Sequence, residues 1–181
     1  MIETDFVADP LVKKLLLLFV LDKMEIPLTE NSIIDICTSK NVWLSYMDCK
    51  DVMWQLLDVN FIYKTIDSTD EARYNITIEG RDCLTHFYKK IPISLRDNIT
   101  TFAKENRMAF KRAQEYVGKY IRNVDGTYLC TLQIKDPLEG KNIFEIKIIL
   151  NSIKQAKDAI AKWKEKAPNV YETIFDLLTE N

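Results

Sequence analysis

Residues 45–80 read SYMDCKDVMWQLLDVNFIYKTIDSTDEARYNITIEG. Ser45 followed three residues later by Asp48 resembles a capping box, with Asp in place of Glu or Gln, and opens an amphipathic helix over 45–60. At about 100° per residue, Cys49, Val52, Met53, Leu56 and Val59 share one face with Leu57 at its edge. Met47, Lys50, Asp51, Trp54, Gln55 and Asp58 take the other. Residues 61–66 then read as a strand, 67–71 as a polar turn and 73–76 as the returning strand, and Thr77 caps a new helix. Helix, hairpin, helix, placed behind two earlier helices, is the layout of a winged helix-turn-helix, whose third helix enters a DNA major groove and whose hairpin forms the wing.

Upstream, Asp9-Pro10 is a helix start, an N-cap with proline at the first helical position. Residues 12–24 are apolar on nearly every side, so this helix is either central to its domain or covered in part by a second subunit. Thr29 caps a second helix with Ile33, Ile34 and Cys37 facing inward. Downstream, Leu84, Phe87 and Tyr88 make an inner face, and Lys89-Lys90-Ile91-Pro92 closes the domain because proline stops a helix.

The succession from Leu15 to Arg81, closing on Thr77-x-x-Gly80-Arg81, resembles the winged-helix domain of the MarR and PadR regulator groups. In length and in its tail the whole chain is similar to a clostridial family of winged-helix proteins of about this size. That resemblance implies a winged-helix fold, a dimer and a regulatory role.

Ser94 caps a long helix in which Leu95, Ile99, Phe102, Asn106, Ala109 and Ala113 recur at spacings of four and three. This seam suits a dimer helix through Leu95, Ile99 and Phe102, or equally packing on the chain's own sheet. Lys104, Arg107, Lys111 and Arg112 form a basic stripe beside it. From Tyr116 the period becomes two, with turns at 123–126 and 136–140, which predicts a three-stranded antiparallel meander. Ser152 with Gln155 caps a helix carrying Ile153, Ala156, Ile160 and Trp163, and Asn169 starts a last helix with Ile174, Leu177 and Leu178. The expected fold class is α+β: an N-terminal winged helix-turn-helix over 1–92, then over 93–181 a long helix and a small antiparallel sheet with two C-terminal helices, a domain for dimerisation or sensing.

Charge divides unevenly. Residues 1–90 hold ten Lys and Arg against fifteen Asp and Glu, a net of −5, and residues 91–181 hold fifteen against twelve, a net of +3. The half that should meet DNA is the acidic one, which opposes simple phosphate-driven binding. As a DNA reader the chain would use Ser45, Tyr46, Lys50 and Gln55 in the major groove and Lys64 and Arg73 on flanking phosphate. As a protein-interaction module it would use Met47 and Trp54, seven residues apart on the outward face. A sensor of small molecules in the tail is the third reading.

Catalysis finds little support in the residue set. His86 is the one histidine, and Cys83 three residues before it makes half a zinc site with no second pair in reach, so both read as core residues. No glycine-rich loop follows a strand, and no cofactor or metal is expected. The acidic N-terminus lacks a basic leader, and the apolar run 15–21 is too short to span a bilayer, so the expectation is a cytoplasmic protein with reduced cysteines.

Overall fold

The apolar helix near the N-terminus is the centre of the first unit. In the computed structural model, which describes residues 7–66, 71–136 and 141–179, α1 (Pro10–Met24) starts at Asp9, whose Oδ1 accepts from the backbone N–H of Leu11 and Val12. Leu15, Leu16, Leu17, Leu18, Phe19, Val20, Leu21 and Met24 are all buried. The protein's own elements cover the helix on every side. Burial of so many large side chains, each contributing about 1.5–3 kcal/mol, makes α1 the main source of stability here.

The chain then runs through β1 (Leu28–Thr29), α2 (Glu30–Ile34), a π-helical turn Asp35–Lys40, α3 (Tyr46–Asp58), β2 (Ile62–Ile66), β3 (Ala72–Ile76) and α4 (Ile78–Phe87). Thr29 caps α2 by accepting from Ser32 N–H. The widened turn that follows buries Ile36 and Cys37 beside Ile33, whereas Ile34, expected inward, is only half-buried. β3 lies between β1 and β2 in an antiparallel sheet, with Leu28 opposite Tyr74 and Ile62 opposite Ile76. Of the turn expected at 67–71, residues 67–70 lie outside the described residues.

Thr77-x-x-Gly80-Arg81 has a mechanical explanation. The Thr77 hydroxyl donates to the carbonyls of Asn60 and Phe61 and accepts from Gly80 N–H. A Cβ at Gly80 would stand 2.1 Å from the Phe61 carbonyl oxygen, a distance no side chain tolerates. The motif therefore clamps α4 onto the end of α3. Arg81 adds a contact to Asp22 of α1 at 3.7 Å.

α5 (Ile93–Glu115) leaves the clamp after a 3-10 turn Tyr88–Lys90. The chain divides into two compact units within this helix, Met1–Arg107 and Met108–Asn181, rather than at Pro92. The reason lies in the first turns of α5, where Leu95, Ile99 and Ala103 are buried and Phe102 meets Trp43 edge-to-face at 6.0 Å.

The second unit carries the antiparallel meander β4 (Tyr116–Arg122), β5 (Tyr128–Lys135) and β6 (Asn142–Leu150). The first turn is tied by Gly126 N–H to the Asn123 carbonyl, and residues 137–140 of the second lie outside the described residues. One helix, α6 (Ile153–Thr179), covers the sheet, burying Ala156, Trp163 and Ala167, the last two packed with Cys130 and Leu132. The two C-terminal helices expected from the sequence are thus one. Pro168 sits inside it, where the buried Ala167 and half-buried Val170 on either side hold the helix to a single face. Trp163 Nε1 donates to the Gln133 carbonyl at 3.0 Å, and a Cβ at Gly118 would stand 2.7 Å from the Ile160 side chain.

Candidate functional site

α3 sets out its two faces as its sequence spacing requires. Ser45 accepts from Asp48 N–H at 3.1 Å, and its hydroxyl donates to Asp48 Oδ2 at 2.7 Å. Lys13 of α1 donates to Asp48 Oδ1 at 2.6 Å. This lysine, then the Ser45 hydroxyl, holds the Asp48 carboxyl below the usual carboxylate range. The start of α3 is fixed on α1 by that contact. Cys49, Val52, Met53 and Leu56 are buried, while Val59, expected on the same face, is 52% exposed at the helix end. Cys49 hydrogen-bonds the thiol of Cys37, and this contact with full burial raises Cys37 well above its ordinary value.

The outward face carries three large exposed side chains, Tyr46, Met47 and Trp54, the last two 66% and 68% exposed. Beside Trp54 a pocket of about 160 Å³ opens, lined by Glu30, Lys50, Met53, Leu57 and Tyr74. Lys50 Nζ pairs with Glu30 Oε1, and the Tyr74 hydroxyl donates to Glu30 Oε2 at 3.4 Å. Glu30 raises the Lys50 ammonium, and burial followed by Glu30 raises the Tyr74 phenol. Glu30 and Tyr74 did not stand out in the sequence. Their only signal was an acid in the first turn of α2 behind the Thr29 cap, and an aromatic on the returning strand.

The residues expected to meet DNA are scattered. Ser45 is engaged as a cap, and Lys50 is engaged by Glu30. Gln55 is exposed, but it lines another groove, of about 280 Å³, with Leu11, Leu15, Leu18, Val59 and Phe61. Arg73 is the clearest correction. It is buried, with Glu71 at 3.4 Å and, in register on either side, Thr29 and Thr65. β3 is the central strand of its sheet, so both of its edges are paired, and the Arg73 side chain is left with little surface to offer a phosphate. Tyr46 and Lys64 remain exposed.

Leu95 and Ile99, expected at a dimer seam, are buried by their own chain, and Phe102 is half-buried against Trp43. The chain itself thus fills the seam at Leu95 and Ile99. His86 is exposed with its ring 6.2 Å from Phe87, not in the core, because Gly80 and Leu84 form the inner face of α4. Phe87 and Tyr88, expected inward, are also exposed. Among the described residues no three His, Cys, Asp or Glu side chains cluster as metal ligands do, and no helix is long and apolar enough to cross a membrane.

The family model described as a domain of unknown function, DUF4364, matches residues 13–178. The chain belongs to that family. The DUF4364 match spans both units, from the central helix α1 to the last turn of α6. Nothing among curated proteins and nothing among solved structures matches the chain.

Proposed function

We propose that the first unit is a winged helix put to use as a protein-docking module, with the outward face of α3 as its contact surface. Three features support the fold reading: the order of α1, β1, α2, α3, β2, β3, the placement of β3 between β1 and β2, and the Thr77–Gly80 clamp beyond them. The contact reading rests on one observation. Trp54 stands 68% exposed at the rim of a pocket, while two of the three cations that should serve a nucleic acid are engaged, Lys50 by Glu30 and Arg73 by burial, and Lys64 alone of them is exposed. Exposed tryptophan is a common energetic centre of protein interfaces, whereas a duplex requires free cations along the contact face.

The rival outcome is a transcriptional regulator that binds DNA through α3. A photo-crosslinking residue in place of Met47, introduced into the source organism, separates the two. The account expects a discrete protein adduct that Trp54→Ala abolishes without altering the circular dichroism spectrum. Adducts to DNA alone, or a protein adduct indifferent to Trp54, would overturn it.

A further inference from the structure

The chemistry around Trp54 specifies its partner more narrowly. On the helix, Asp51 lies three residues before Trp54 and Asp58 four after, so the two carboxylates flank the indole along the axis. Both are exposed, and neither has a hydrogen bond or ion pair among the described residues. The neighbouring Lys50 offers no compensation, because Glu30 already neutralises it. The surface is therefore an apolar centre with two exposed carboxylates along one side of it.

The pocket beside the indole is a half-open groove of about 160 Å³. Its walls are Met53, Leu57 and Tyr74, with the Glu30–Lys50 pair at one side. One aromatic or branched aliphatic side chain fits, and a whole strand or a second helix core does not. Met47, two turns before Trp54 on the same face, gives a second apolar contact outside the pocket. Trp54 itself presents a ring face on which a guanidinium or ammonium can sit.

Resting on the docking reading above, we infer that the partner is a basic peptide segment. It carries one apolar anchor for the pocket and Lys or Arg one helical turn to either side, set against Asp51 and Asp58. Opposite charge across such a rim acts mainly on encounter rate and on the choice of partner, and the anchor supplies the hold.

Trp54 reports on this directly, since Trp43 and Trp163 are buried at 8% and 3% exposure and Trp54 at 68% dominates the acrylamide-accessible signal. Two synthetic helical peptides serve as probes. Each has a single central phenylalanine, flanked three and four positions away by Lys and Arg in one and by Glu in the other. The basic peptide should protect Trp54 from quenching and bind at least about tenfold tighter than its acidic twin. In the variant Asp51→Lys with Asp58→Lys, both exposed changes that leave the buried face of α3 intact, the preference should reverse. Equal binding of the twins, failure of the basic peptide to protect Trp54 at millimolar concentration, or an unchanged preference in the double variant would each overturn the inference. A Trp54-dependent protein adduct at position 47 together with indifference to charge would sink this inference alone and leave the docking function standing. Loss of both results would remove both.

Discussion

The helices that organise the two units differ in how much of them is hidden. α1, with 15 residues, is buried at every position from 15 to 21, while α6, with 27 residues, buries only Ala156, Trp163 and Ala167. The first unit wraps a core on all sides of a central helix, and the second lays a helix on one face of a three-stranded sheet. A wrapped helix must be apolar all round, and a laid helix needs only a stripe. That contrast explains why Leu177 and Leu178 stay exposed in the last turn of α6 although they are as apolar as anything in α1.

The sharpest way to break the contrast is Leu17→Ala against Leu177→Ala. The first leaves a cavity in a closed core and should cost about 3–5 kcal/mol of unfolding free energy, read by urea denaturation. The second removes a side chain that is 77% exposed and should cost less than about 0.5 kcal/mol. A smaller pair of effects comes from the two close-packed glycines. Gly80→Ala drives a Cβ into the Phe61 backbone carbonyl and should cost about 2–3 kcal/mol, whereas at Gly118 the atoms in the way are side-chain carbons of Ile160 and not backbone, so about 1 kcal/mol is expected. Equal costs at the two sites would mean that the backbones around both are alike in rigidity.

Pro168→Ala works in the opposite direction. The proline removes one backbone hydrogen bond from α6, and its replacement should stabilise the second unit by about 1–2 kcal/mol, seen as a higher Tm. The smallest effect concerns pH. Asp48 has a folded-state pKa below its ordinary value of about 3.9 because Lys13 and Ser45 favour the carboxylate. Its contribution is therefore complete above that ordinary value and is lost as pH falls through the lower, folded one. Asp48→Asn should cost about 1 kcal/mol at pH 7, and the gap between variant and wild type should close under strong acid. A gap constant with pH would assign the cost to packing rather than to charge.

Local signals explain what could be read from the chain. The Asp9, Thr29, Ser45 and Thr77 caps each stand in sequence next to the N–H groups they serve, and the period-two strands β4, β5 and β6 are bounded by turn residues. The errors arose where the answer depends on what lies across space. Arg73 sits on a strand that alternates like an edge strand, and only its two neighbours show it to be central. Pro168 is a reliable local sign of a break, yet apolar contacts before and after it continue the helix. The α5 seam has a coiled-coil spacing whichever element fills it. In the candidate site, Met47 and Trp54 were legible as outward apolar positions, but the pocket beside Trp54 needs Glu30 and Tyr74, which are 44 residues apart in sequence.

Titration of a fluorescent random-sequence duplex with the full chain, in about 50 mM salt, bears most directly on the claim that α3 meets protein and not phosphate. With Lys50 paired and Arg73 buried, the account predicts no binding tighter than about 10⁻⁴ M, the weak limit of ordinary non-specific association. Micromolar binding with a steep salt dependence, its slope reduced by about one in Lys50→Ala, would contradict it.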